Sequence, residues 1–187
     1  MRVIAGSLKG RRLKAPTWDG LRPTSDKLRE TLFNILAARI VGARVIDGYA
    51  GTGALGIEAL SRGAAEVTFV ERDPRAQRLI ADNLAHCGIR EGYAIIRASV
   101  TRALRTLRTG AAPAMFDPFD IILLDPPYDD APIEAILEDA GPLVAPDGIL
   151  VLEHARARAT PEAVGQLIRS REVASGDSWL ALYEVRR

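Results

Sequence analysis

Two short segments of this 187-residue chain carry the residue types that chemistry needs. The first is Asp47-Gly-Tyr-Ala-Gly-Thr-Gly-Ala-Leu-Gly56, in which Gly51, Gly53 and Gly56 satisfy a G-x-G-x-x-G spacing. Missing side chains there let the backbone approach a nucleotide-like ligand at a helix N-terminus, although a tight structural turn uses the same glycines. Glu71 stands twenty residues after Gly51, at the end of the next apolar run, where a carboxylate can accept hydrogen bonds from ribose hydroxyls. Arg72 beside it joins the candidate cofactor-binding set, as does Gly48. Asp47 decides between ligand classes. A pyrophosphate needs the bare positive end of a helix dipole, whereas S-adenosylmethionine has no phosphate and carries an ammonium and a sulfonium. The carboxylate therefore favours S-adenosylmethionine, with S-adenosylhomocysteine as product; helix capping is its other use. Ser99 suits either an adenine-edge contact or an N-cap.

The second segment is Asp125-Pro126-Pro127-Tyr128, after the apolar run Phe119 to Leu124. Two prolines forbid both helix and ladder, so the chain leaves the sheet stiffly at the carboxyl end of a strand, where α/β ligand sites lie. An exocyclic amine on a nucleobase is a poor nucleophile because its lone pair is delocalised into the ring. If Asp125 and the Pro126 carbonyl accept its two N–H groups, the nitrogen can pyramidalise and direct the lone pair at a methyl carbon. Transfer then rests on positioning, Asp125 can take the proton, and Tyr128 can stack on the extruded base. Asp125 also borders the cofactor.

These residues need a scaffold that brings strand ends together. Strands are expected at Arg44–Asp47, Glu66–Glu71, Ala94–Arg97, Phe119–Asp125 and Ile149–Glu153, with helices between them. Asp73 with Pro74 opens one helix that Gly88 ends; Ser99 and Gly110 bracket another; Thr160 with Pro161 opens a third. An earlier helix starts at Thr24 as N-cap and aligns Leu28, Leu32, Ile35 and Leu36 on one face. Alternating strands and helices imply a parallel sheet covered on both faces. Arg171–Ala174 and Trp179–Val185, joined at Gly176-Asp177, form an antiparallel hairpin at its edge, and residues 109 to 118 form a loop. Before all of these, residues 1 to 14 read as two extended pieces around Gly6 to Gly10.

Composition narrows the function. The formal net charge of +1 conceals an asymmetry: residues 1 to 29 hold eight Lys or Arg against two Asp, a net +6, and the rest is −5. Arg2, Lys9, Arg11, Arg12, Lys14 and Arg22 are the candidate RNA-phosphate contacts. Cys87 is the single cysteine, which suits a reducing cytoplasm and excludes a thiolate zinc cluster. The two histidines lack ligand spacing, so no metal is expected; no apolar run is long enough to span a bilayer.

Asp47 to Gly63 and Asp125 to Tyr128, together with Met1-Arg-Val-Ile-Ala-Gly6 and Arg22-Pro-Thr-Ser-Asp-Lys-Leu-Arg-Glu-Thr-Leu-Phe-Asn-Ile-Leu36, resemble the RsmD-type methyltransferases over nearly the whole chain. That resemblance implies an α/β class I methyltransferase fold, Rossmann-like, with a seven-stranded, mostly parallel sheet and an antiparallel edge hairpin. It implies a basic N-terminal hairpin over residues 1–22 that contacts RNA, and a methyltransferase domain over 23–187. The implied reaction is methylation of a guanine N2 amine in 16S ribosomal RNA, within the small subunit or its assembly intermediate, by a monomeric cytoplasmic enzyme. It assigns the cofactor to Asp47–Gly53 and Glu71, and the amine to Asp125, Pro126 and Tyr128. Gly48-Tyr49 departs from the Leu-Phe expected after the acidic residue. Three alternatives share part of the pattern: an amino-methyltransferase acting on adenine or cytosine in DNA or another RNA, a nicotinamide-dependent oxidoreductase, and a non-catalytic RNA-binding module.

Overall fold

The computed structural model describes residues 1–18, 24–109, 118–127, 132–176 and 178–186. After a short N-terminal arm, the chain runs α1 (Asp26–Ile35), β1 (Arg44–Gly48), α2 (Ala54–Ser61), β2 (Glu66–Val70), α3 (Pro74–His86), β3 (Tyr93–Ile96) and α4 (Val100–Thr109). It continues through β4 (Phe119–Leu124), α5 (Ile133–Ala140), β5 (Val144–Ala155), β6 (Ala163–Val164), β7 (Leu167–Ser175) and β8 (Ser178–Val185). The strands form one sheet in the order β3-β2-β1-β4-β5-β8-β7-β6. β3, β2, β1, β4 and β5 are parallel, while β8, β7 and β6 join as antiparallel edge strands.

Strand order reverses between β1 and β4. The chain winds outward from β1 to β3, then returns to lay β4 on β1's other side. Crossover connections leave this point in opposite directions, which opens a crevice beyond the carboxyl ends of the two strands. Gly48 pairs with Leu124, so the loop after β1 and the Asp125-Pro-Pro exit after β4 emerge side by side at that crevice.

Alternating residues of the central strands feed two cores. Val45, Ile121 and Val151 face α1, α2, α3 and the arm; Ile46, Ile122 and Leu150 face α4 and α5. Both faces are apolar because both are covered, as the parallel arrangement requires. Gly56 belongs to this packing: a Cβ there would collide with the Phe69 ring, so the glycine lets α2 lie close against β2.

Four expectations need correction. The cap of α1 is Ser25, whose hydroxyl accepts from the Leu28 N–H at 3.2 Å, one residue beyond Thr24. The helix expected from Thr160 is absent. Val164 pairs with Leu167 across a turn containing Gly165 (φ +56°), and Arg169 and Tyr183 bond the Thr160 and Pro161 carbonyls. Cross-strand pairing and these side-chain bonds override a local Thr-Pro start signal. β6 thereby gives the sheet eight strands rather than seven. The edge hairpin is longer than expected, β7 starting at Leu167. Asp177 and most of the 109–118 loop lie outside the described residues.

Candidate active site

Asp47 is the penultimate residue of β1 and is buried; its Oδ2 accepts the Gly56 N–H at 2.8 Å. Gly53 is the N-cap of α2, in a left-handed conformation (φ +76°) that offers no side-chain cap. Asp47 therefore reaches over the loop and caps the helix from the preceding strand. Burial pushes its carboxyl from 3.8 up to about 7; the Gly56 N–H pulls the other way, and the nearby Glu71 charge adds to the rise.

Glu71 closes the loop from the other side. Its Oε2 accepts the Gly51 N–H at 2.9 Å and its Oε1 the Asp73 N–H at 2.8 Å. Gln77 holds the Glu71 carbonyl at 2.8 Å, fixing the start of α3 against it. Two backbone N–H groups of the glycine loop, those of Gly51 and Gly56, are thus already satisfied by carboxylates. A pyrophosphate would need such donors and would meet two negative groups instead. The donor set fits a cationic, phosphate-free ligand, with Glu71 placed for hydroxyls and Asp47 for positive charge.

Gly48 and Tyr49 explain the departure from Leu-Phe. A Cβ at Gly48 would lie 2.7 Å from Leu124 Cδ2 and 3.1 Å from the Leu123 carbonyl oxygen, so β1 approaches β4 where a larger residue would not fit. Tyr49 takes φ +64°, the one non-glycine in the left-handed region among the described residues, a conformation that costs about 1–3 kcal/mol. Its ring packs against the α4–α5 core, and burial raises its phenol pKa while Arg72 opposes the rise. Arg72 is exposed at the rim. Ser99 takes the capping option: it precedes α4, and its hydroxyl meets the Arg102 N–H at 3.4 Å.

On the neighbouring strand Asp125 is half-buried and Pro126 is buried. Tyr128 lies outside the described residues, as does Arg22.

The arm is bound tightly to this site. Val3 and Arg11 pair through the backbone, and Arg2 bridges Arg12, so the arm is a narrow hairpin. The N–H groups of Ile4 and Ala5 donate to the fully buried Glu58 carboxylate at 2.7 and 2.9 Å. Arg62 binds the same carboxylate, and buried Arg29 lies beside it. Gly6 (φ +81°) presses on the Ser61 backbone, where a Cβ would collide. Further along, buried Asn83 accepts the Lys14 N–H at 2.7 Å and donates to the carbonyls of Lys14 at 3.2 Å and Thr52 at 3.0 Å. One amide thus joins arm, α3 and glycine loop. Glu58 and Asn83 escaped the sequence reading. Asn83 lies among the apolar positions of α3 (Ala76, Ile80, Leu84), and a polar residue on such a stripe signals a buried partner.

Among the candidate phosphate contacts, Arg2, Lys9, Arg11, Arg12 and Lys14 are all exposed. Arg11 also donates to the Cys87 carbonyl at 3.0 Å, and Lys14 pairs with Asp82 at 3.1 Å. Among the described residues no His, Cys, Asp and Glu group could hold a metal ion, and no helix is long and apolar enough to cross a membrane.

A sheet that reverses at the glycine loop, with acidic strand ends on the α2 side, is the class I fold of S-adenosylmethionine-dependent methyltransferases. Residues 1–184 match the family model described as "Conserved hypothetical protein 95". YlbH of Bacillus subtilis (strain 168) is 39% identical over 188 residues, covering 100% of both chains. Ribosomal RNA small subunit methyltransferase D of Escherichia coli (strain K12) is 35% identical over 98% of this chain and 89% of its own. The solved structure of yhhF from Escherichia coli superposes with a TM-score of 0.83 at 32% identity, covering 100% of this chain and 98% of that one. The chain belongs to the RsmD family of methyltransferases.

Proposed function

We propose that this protein methylates the exocyclic N2 amine of a guanine in 16S ribosomal RNA, using S-adenosylmethionine, in the cytoplasm. The observation that carries the cofactor half is the loop: carboxylates of Asp47 and Glu71 occupy the N–H groups a phosphate would take. This argues against a nicotinamide dinucleotide on electrostatic grounds. When bound, S-adenosylmethionine supplies an electrophilic methyl group. Glu71 would hold its hydroxyls, Asp47 its positive charge, and the loop through Gly48, Gly51 and Gly53 would border it.

Asp125 and the Pro126 carbonyl accept the two N–H groups of the amine, which frees the nitrogen lone pair from the ring. Pro127 contributes no N–H to compete for the carbonyls around it, and the two rings hold the acceptors rigidly. Most of the rate advantage comes from this positioning, and Asp125 removes the proton as charge builds. Tyr128 stacks on the base. The relatives' names support ribosomal RNA of the small subunit as the substrate class. Exposed Lys9 and Arg12 on the arm hold phosphates without reading sequence.

The test is labelled methyl transfer to small subunits lacking this modification, followed by mapping of the modified nucleotide. Asp125→Ala should reduce transfer by about 100-fold or more while cofactor affinity stays within a few-fold. Undiminished turnover by the variant would refute the assignment of Asp125.

A further inference from the structure

Five carboxylates among the described residues are buried: Asp47, Glu58, Glu71, Asp139 and Glu153. Asp47 caps α2, Glu58 receives the arm, Glu71 ties the glycine loop, and Asp139 pairs with Arg105 at 2.8 Å. Glu153 differs in its position, near the carboxyl end of β5 and next to the Asp125 exit.

Register fixes that relation. β4 and β5 are parallel, and Leu124 pairs with Leu152, so Asp125 and Glu153 are each one residue beyond a paired position. Leu123 and Val151 face the core shared with α1, α2 and the arm, whereas Leu124 and Leu152 face the opposite core. Alternation carried one step further returns both acidic residues to the first face, just beyond the Leu124–Leu152 pair, where the two backbones run about 4.8 Å apart. That is the face holding the glycine loop's helix and the arm. Glu153 is 8% exposed, so its surroundings are mostly dry and a hydrogen bond to it discriminates strongly.

The chemistry of nucleobase amines gives this pair a meaning. In adenine the N6 amine stands beside N1, a bare acceptor; in cytosine the N4 amine stands beside N3, also a bare acceptor. In guanine alone the N2 amine stands beside a ring N–H. A carboxylate next to the amine-binding residue therefore attracts guanine through N1–H and repels adenine and cytosine through their ring lone pairs. We infer that Glu153 is the specificity-determining residue of this enzyme, accepting the guanine N1–H while Asp125 and the Pro126 carbonyl hold the N2 amine. The inference rests on the guanine-N2 reading above and explains why a site with Asp-Pro-Pro chemistry would choose that amine.

The test uses 2-aminopurine, which keeps the N2 amine but has an unprotonated N1. Small-subunit particles are assembled with RNA carrying either guanosine or 2-aminopurine at the target nucleotide, and kcat/KM for methyl transfer is measured on each. Wild-type enzyme should prefer guanosine by at least about 10- to 150-fold, the range of one hydrogen bond to a charged group. Glu153→Gln presents an amide that can turn its N–H toward a bare N1, and should shrink that preference by about tenfold or more. Its cofactor affinity should remain within about threefold of wild type, a readout that a merely structural loss would move. Equal wild-type rates on the two particles would overturn the role of Glu153 while leaving guanine methylation intact, as would an unchanged preference in Glu153→Gln. Transfer to an adenine or cytosine amine would overturn the guanine reading itself, and this inference with it.

Discussion

Asp47→Asn separates a carboxylate kept for a ligand from one kept as a helix cap. The side chain is buried and its carboxyl is raised from 3.8 to about 7. The unfolded chain ionises above pH 4, but the folded one resists until about pH 7, so this residue lowers stability progressively across that window and by a constant amount above it. Roughly three units at about 1.4 kcal/mol each give a cost of up to about 4 kcal/mol at pH 8, and almost none at pH 4. Asparagine keeps an oxygen for the Gly56 N–H and cannot ionise. In urea unfolding without cofactor, the variant should therefore be more stable than wild type at neutral pH. Its advantage should widen by about 3 kcal/mol between pH 5 and pH 8. Cofactor binding should show the reverse: wild-type affinity for S-adenosylmethionine should rise from pH 6 to pH 8 as Asp47 ionises. The variant should bind at least about tenfold more weakly at pH 8, with a flat profile. A stability difference independent of pH, or undiminished cofactor affinity in Asp47→Asn, would refute the reasoning and leave Asp47 as a cap.

Two further perturbations address the arm. Lys9→Glu with Arg12→Glu should weaken RNA binding several-fold and reduce the slope of log affinity against log salt by about 0.7 to 0.9 per lost phosphate contact, measured by filter binding; an unchanged slope would place the RNA elsewhere. Asn83→Leu removes two donated bonds and leaves the Lys14 N–H without its acceptor, so unfolding free energy should fall by about 2–4 kcal/mol, and a calorimetric melt within 2 °C of wild type would contradict that.

The strand ends that carry the candidate site were more legible than the edges of the fold. Asp47, Glu71 and Asp125 stand at or just past the ends of strands whose apolar runs are short and bounded by turn residues, and Gly51 and Gly53 stand in the loop between β1 and α2, so local pattern and position agree. Residues 160 to 168 were read wrongly because Thr-Pro-Glu is a genuine helix start when only near neighbours count. Their actual partners are Arg169, Glu172 and Tyr183, which no window of ten residues contains together. The helix α1 was found but its cap was off by one, since Thr24 and Ser25 offer the same hydroxyl and only backbone geometry selects Ser25. Glu153 was placed on its strand with no chemistry attached. Its proximity to Asp125 comes from the pairing of β4 with β5, a register that neither strand carries in its own sequence.

Charge shows the same gap between sequence and structure, with a quantitative consequence. A count of +6 over residues 1 to 29 suggests a strongly cationic surface. Arg29, however, is fully buried, bonded to Asp26 at 2.6 Å and to the Arg2 carbonyl at 2.8 Å, where it braces the arm against α1. Arg2 lies 3.9 Å from Asp26, and Lys14 is paired with Asp82. On the hairpin itself, Lys9, Arg11 and Arg12 are the bases with no ion pair among the described residues, Arg11 being bonded instead to the Cys87 carbonyl. Lys9 lies in the turn seated on Ser61, at the end of α2 remote from the glycine loop, and Arg12 lies beyond it, opposite Arg2. An eight-residue helix spans about 12 Å, so Lys9 lies roughly that far from the glycine loop, whereas Arg12 is two residues from Lys14, whose backbone Asn83 ties to the loop at Thr52. On the function proposed above, the turn of the arm would hold RNA phosphates beside the target nucleotide. Its electrostatic contribution should correspond to two or three phosphates, a salt slope of about 2, where the formal charge would suggest about 5.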